Sequence, residues 1–442
     1  MQGWTCARDG AVQREMPVWV MNLPGVRAGG GDVRPCSLTG YNSDRLGTLA
    51  PVARAFGGHG RDHLKHSWSI NVIDPPTPSP MSSQTPAEGQ KPLGVGERLA
   101  WLHRPVTIEE GLRRRVDNFL LIRIIAASMV IYGHAKAIAP AVNQEDFFVW
   151  LGVGHYSGHI AVNIFFMVSG FLVTGSLLRQ RNVLNFFKLR ALRLVPGYLV
   201  NLVLLALVLG TIMTTLPVGE YLRRPEVWKY ITQNLHFSSN MVWNLPGVFE
   251  NGMKSSVING SQWTLPAEVR MYVLLGVAGL IGLFRSVRVA TWSTLVVMAL
   301  GAFFPHFLPL HQDWFRLGMY FSIGVLAYLH RGTIQISYVF VLGLIGLAVL
   351  TRQLPGYELA LALAISAIVF AIAYLTPPVR WLERYGDPSY GIYLWGWPCQ
   401  QLVAYFLPGA GLTVHVSISV IMAVVLGYAS WHLVEKHALK LK

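Results

Sequence analysis

The chain has 442 residues, 52% of them hydrophobic and only 13% charged, where soluble domains carry about a quarter. That shortage of charge, with 14 tryptophans, argues against a soluble globule and for a protein with many membrane-spanning segments. The formal charge of +14 is spread between apolar runs rather than gathered in one stripe, so it reads as cytoplasm-facing loops and not as a nucleic-acid surface.

Residues 1–110 differ from everything after them, being rich in Gly, Pro, Ser and charge, most of all in "INVIDPPTPSPMSSQTPAEGQKPLG". Such composition cannot bury enough apolar surface to offset the entropy of ordering, so a disordered tail is expected ahead of a membrane domain over 111–442. A second reading places the true start at Met81, because residues 1–80 carry no pattern of any kind. Cys6, Cys36 and Cys399 form neither a disulfide framework nor a metal spacing, and no metal site is expected.

From Asn118 onward apolar runs recur, and about 20 helical residues are needed to cross a bilayer. Ten are read, at 118–139, 158–178, 194–216, 266–284, 288–309, 315–330, 335–351, 357–375, 389–408 and 412–434. The fold class is therefore all-α, a polytopic integral membrane protein. With the N-terminus inside, sixteen Lys and Arg flank the inner ends and seven the outer ends, four of the seven in the 217–265 loop. That bias places both termini in the cytoplasm.

The first run carries Arg123 and His134, eleven residues apart. At 3.6 residues per turn both lie on nearly one helix face, separated by roughly 16 Å of rise. Ionisable groups in lipid cost about 2.5 kcal/mol or more, so each is expected to have a partner or a task. Snorkelling to the inner interface would account for Arg123, and a bundle hydrogen bond for His134. Arg190 and Arg193, at i and i+3 before the third run, offer two guanidiniums on one face. They suit a polyphosphate, or an ordinary positive flank. Glu268 and Tyr272 share a face of the fourth run, near its outer end. The carboxylate could pair with Arg270, bind a substrate or orient a histidine.

These pieces resemble the membrane-bound acyltransferase-3 family. "LIRIIAASMVIYGH" has its Arg, ten residues, then His; "NIFFMVSGFLVTGSL" resembles its Phe-Phe-x-x-Ser-Gly-Phe-Leu signature at Phe165, Phe166, Ser169 and Gly170. "KLRALRLVPGYL" resembles Arg-x-x-Arg-Leu-x-Pro-x-Tyr, and "QWTLPAEVRMY" resembles Trp-x-Leu-x-x-Glu-x-x-x-Tyr at Trp263, Leu265, Glu268 and Tyr272. "FRLGMYFSIGVLAY" and "DPSYGIYLWGWP" follow in order, so the likeness runs from about Asp117 to Glu435. Many members carry a His where Gly396 stands here.

The resemblance implies a ten-helix O-acyltransferase of the bacterial inner membrane that moves an acyl group, most often acetyl, from acyl-CoA to a carbohydrate hydroxyl. It implies acyl-CoA binding at Arg123, Arg190 and Arg193, with His134 as catalytic base. Glu268 would hold the imidazole or grip the acceptor, and Ser169, Trp263 and Tyr272 would support or stack on the sugar. Acyl-CoA is then a substrate, no tightly bound cofactor is expected, and the acceptor is a polysaccharide, lipopolysaccharide, oligosaccharide or glycolipid. The rival class is a secondary transporter or flippase for a glycolipid, which shares the many helices and basic inner face. Transporters commonly show inverted repeats, and none is found here.

Overall fold

The computed structural model describes residues 104–114, 116–180, 182–250, 253–303 and 312–441. The expected tail and the Met81 start lie outside the described residues, apart from the tail's last few positions. Those are ordered: Val106–Thr107 pairs antiparallel with Gln335–Ile336, Val106 opposite Ile336. The short helix Ile108–Arg113 follows, opened by a capping box between Thr107 and Glu110. Ile108 is fully buried, which is why order begins ahead of the expected boundary.

Among the described residues each apolar run is mostly helical. In chain order the long helices are α1 (Phe119–Ile138), α2 (Ser157–Arg179), α3 (Val183–Met213), α4 (Leu265–Leu280) and α5 (Val287–Phe303). Then come α6 (Gln312–Leu329), α7 (Tyr338–Leu350), α8 (Tyr357–Tyr374), α9 (Ser389–Phe406) and α10 (Leu412–Leu441). Among the described residues five of them, α1, α2, α3, α8 and α10, are long and apolar enough to cross a membrane by length and composition. Large apolar side chains also face outward: Leu280 is 65% exposed, Trp292 69% and Ile421 63%. In water that exposure would be costly; against lipid it is favourable.

Helix α3 begins at Val183, eleven residues ahead of the expected 194. The polar side chains Lys188, Arg190 and Arg193 hide its first turns from an apolar-run criterion. Asn182 caps the start by accepting from the Leu184 N–H at 2.8 Å. Pro196 sits inside, and a π-helical turn follows at Leu204–Leu209.

Small residues let the helices approach. A Cβ at Gly170 of α2 would lie 2.1 Å from the Phe321 carbonyl oxygen of α6, and one at Gly324 of α6 would lie 2.1 Å from the Met167 oxygen of α2. Helix α1 is anchored at its start by Asn118, whose Nδ2 donates to Thr376 Oγ1 at 2.8 Å while its Oδ1 accepts from the Val379 N–H at 2.9 Å. Helices α1 and α9 run parallel: Arg123 meets Asp387, a Cβ at Gly396 would meet Ile131, and His134 meets Trp397.

The segment between α3 and α4 is a packed unit. Two short helices, Val218–Arg223 and Pro225–Leu235, cover the end of α3, and Tyr198, Tyr221 and Tyr230 are fully buried beneath them. The chain then re-enters the bundle as the 3-10 turn Gly260–Thr264. Its amides are satisfied inside: Gln262 Nε2 donates to Tyr230 Oη at 2.6 Å and Oε1 accepts from Tyr198 at 2.9 Å. Asn259 Nδ2 donates to the Leu394 carbonyl at 2.9 Å. Buried amides are tolerated only when paired in this way.

Candidate active site

One end of the site is a junction of four helices, α1, α3, α9 and α10. Gly386 has φ +90°, and a Cβ there would lie 1.9 Å from the Trp431 ring nitrogen, so glycine is required for the turn that delivers Asp387. Asp387 accepts from Ser389 Oγ at 2.6 Å and bridges two guanidiniums, Arg123 at 2.9 Å and Arg193 at 2.5 Å. Arg193 also reaches Glu435 at 3.2 Å, a carboxylate 1% exposed and held by Ser430 Oγ at 2.9 Å. The Arg193 guanidinium lies 6.0 Å from the Tyr390 ring centroid and 5.6 Å from that of Trp431. Arg123 thus has a partner and does not simply snorkel. Arg190 differs: among the described residues it makes no ion pair, and its buried Nε has no acceptor.

Deeper along the bundle, Tyr272 donates to Glu268 and lies 3.2 Å from Ser169 Oγ, joining α2 to α4. Glu268 interacts electrostatically with Arg190 and Arg193. It was expected near the outer end of its helix. The re-entrant turn puts the start of α4 level with Tyr393, little more than one turn into α9 from its Asp387 end, where Thr264 Oγ1 meets Tyr393 Oη at 2.6 Å. Glu268 therefore sits within the bundle, on the arginine side of His134. Pairing with Arg270 is ruled out by Arg270 itself, which donates to the Pro266 carbonyl at 3.0 Å and lies 4.3 Å from the Trp314 ring centroid. Trp263 lies on the re-entrant turn, half-buried against the main core.

His134 occupies the far end of α1. Its Nδ1 is 2.7 Å from the Val130 carbonyl oxygen one turn back. A carbonyl only accepts, so Nδ1 carries the proton and the neutral ring keeps its lone pair on Nε2. The ring is set edge to face between Trp397, at 4.9 Å between centroids, and Tyr156, at 5.8 Å. Trp397 is fixed by donating to the Val257 carbonyl at 2.9 Å. Tautomer and ring plane are thus set by Val130, Trp397 and Tyr156, and the orienting role considered for Glu268 falls to the helix's own backbone. Gly158 makes room: a Cβ there would lie 3.4 Å from His134 Cε1.

The structure joins Arg123 to Arg193, and Ser169 to Tyr272 to Glu268, and leaves His134 about 16 Å of helix away from Arg123. Sequence reasoning missed Asp387, Glu435, Tyr156 and Trp397. Asp387 carried a signal, a carboxylate preceding Pro at the head of an apolar run, whereas tryptophans and tyrosines near run ends are ordinary interfacial residues. Gly396 closes against Ile131: a Cβ would lie 2.8 Å from its Cγ1.

The family described as an acyltransferase domain matches residues 116–432. The chain is 27% identical over 332 residues to a protein named O-acetyl transferase from Shigella phage Sf6, covering 72% of this chain and 94% of the relative. It is 27% identical over 368 residues to Nodulation protein 10 of Rhizobium leguminosarum bv. viciae, covering 74% and 94%. No solved structure matches.

Proposed function

The chain belongs to the acyltransferase-3 family and is a membrane acyltransferase, and on that premise we propose that it moves an acetyl group from acetyl-CoA to a carbohydrate hydroxyl. The observation that carries the proposal is the His134 ring, with its proton on the Val130 side and its Nε2 lone pair available. His134 takes the proton from the acceptor hydroxyl as the oxygen attacks the thioester carbonyl. The new C–O bond forms, the C–S bond breaks, and the imidazolium returns its proton to the departing thiolate. The products are an ester and free CoA thiol, with no net proton change.

The donor's phosphates belong at the arginine end. Arg190, with an unsatisfied Nε, is the first contact, and Arg193 and Arg123 contribute charge while staying bridged by Asp387. A pantetheine arm extended from there toward His134 passes Ser169, Tyr272 and Glu268, which line the route with two hydroxyls and a carboxylate. Trp263 is a supporting residue on the turn before Glu268. The ten helices each cross the bilayer of a bacterial inner membrane with both termini cytoplasmic, so the donor enters from the cytoplasm and the acceptor from outside. The name of the phage relative supports acetyl as the group moved.

Membranes carrying the chain are to be incubated with labelled acetyl-CoA. Label appears in saccharide or glycolipid with the wild type and is lost with His134→Ala while the protein still reaches the membrane. Full transfer by His134→Ala, or no transfer by the wild type, defeats the assignment.

A further inference from the structure

Beyond Tyr156 the bundle holds a second polar group that the donor route does not use. The Tyr156 ring, edge to face with His134, stacks on its other side against His159, at 5.6 Å and an interplanar angle of 22°. His159 Nε2 stands 3.7 Å from Asp313 Oδ1 on α6, and the same oxygen accepts from Arg316 at 3.3 Å. Arg316 also donates to Asn163 of α2, while its buried Nε has no acceptor among the described residues. Alongside, His155 packs on His159 at 4.8 Å and meets Glu358 of α8 at 2.9 Å.

Three features distinguish this cluster from the arginine junction. Exposure rises steadily across it, from Asn163 at 1% through Arg316 at 13% and His159 at 23% to Asp313 at 38%, so it opens outward. To one Arg–Asp pair it adds an amide and an imidazole, Asn163 and His159, neutral groups that the arginine junction lacks and that suit hydroxyls better than a compact anion. It also lies at the opposite end of α1 from Arg123, one aromatic ring away from the proposed base.

We propose that Asn163, Arg316, Asp313 and His159 form the subsite that docks the acceptor, a neutral polyol such as a sugar ring, with one hydroxyl reaching past Tyr156 to His134. This rests on the acyl-transfer reading above. Asp313 and His159 take the outer hydroxyls, Arg316 Nε donates from below, and Tyr156 separates the subsite from the reacting atoms.

The test uses membranes carrying wild type, Asp313→Asn or His159→Gln, saturating labelled acetyl-CoA, and saccharide extracted from cells lacking the chain as titrated acceptor. The apparent KM for saccharide rises about tenfold in each variant, while that for acetyl-CoA stays within about twofold. An unchanged acceptor KM overturns the subsite. Parallel loss for both substrates, with a lower unfolding temperature, also overturns it and makes the cluster a tie between α2 and α6. A wild type that transfers no label removes the acyl-transfer reading and the subsite with it, a result distinct from the other two, in which wild type is active.

Discussion

The two ends of α1 both gather ionic side chains, but they are built on different principles. At the Arg123 end Asp387 and Glu435 answer Arg123 and Arg193 at 2.5 to 3.2 Å, in a setting closed by Tyr390 and Trp431. Beyond His134 the pairs that Asp313 makes with Arg316 and His159 are longer, at 3.3 and 3.7 Å, beside a closer His155–Glu358 contact at 2.9 Å, and Asp313 is more than a third exposed. A tight, enclosed network holds helices together and tolerates little change. A loose, graded one can exchange partners with a ligand at small cost. Arg123 and Arg193, read from sequence as part of a phosphate cradle, are thus also the clasp joining α1, α3, α9 and α10.

The sharpest way to break this contrast is to remove one carboxylate from each end. Asp387→Ala leaves two enclosed guanidiniums facing one another, and losing one partner of such a pair costs about 3–5 kcal/mol. Asp313→Ala, at a half-exposed pair, costs about 1 kcal/mol or less. Thermal unfolding of the purified chain in detergent, followed by loss of helical signal, measures both. Equal losses at the two ends erase the distinction.

The comparison also shows what a sequence displays. Arg123 and His134 were legible because an ionisable side chain inside an apolar run is conspicuous whatever surrounds it. The ten helices were legible for the same reason in reverse. The start of α3 was not, because Lys188, Arg190 and Arg193 look like a solvated flank, yet Arg193 turns inward to Asp387 and Glu435. The depth of Glu268 was hidden by Asn259 and Gln262, which read as a polar outer loop. Only the structure shows that Asn201, Tyr198 and Tyr230 satisfy them inside the bundle. A backbone carbonyl such as that of Val130 leaves no mark on a sequence at all.

Within the Arg123 end itself the three arginines divide. Among the described residues Arg190 feels Glu268 only at a distance and makes no ion pair, whereas Arg123 and Arg193 share Asp387. Arg190→Ala therefore raises the KM for acetyl-CoA about tenfold, the worth of one charge-assisted hydrogen bond, and leaves the unfolding temperature unchanged. Arg123→Ala lowers both affinity and stability, because it strips a partner from Asp387. Titration of coenzyme A into each variant in detergent separates the two. If Arg190→Ala binds coenzyme A as the wild type does, the donor's phosphates lie elsewhere.

The smallest effect is expected between the two ends, where Gly396 of α9 closes on Ile131 of α1. Alanine in a helix gains roughly 0.5–1 kcal/mol over glycine. Against that, the new Cβ would lie 2.8 Å from Ile131 Cγ1 and 3.2 Å from Cδ1, atoms on a fully buried side chain that has little room to turn. Overpacking of that kind costs about 1–3 kcal/mol, so Gly396→Ala should lose about 1 kcal/mol net. In an Ile131→Ala background the clash is gone and the same change should be neutral or stabilising, a coupling that a double-mutant cycle isolates. Ile131 lies three residues before His134, so easing it aside displaces the base and lowers kcat more than it raises either KM. Equal costs in both backgrounds would mean that α1 and α9 do not meet here, and the shared register that carries Arg123 to Asp387 and His134 to Trp397 would fall with that contact.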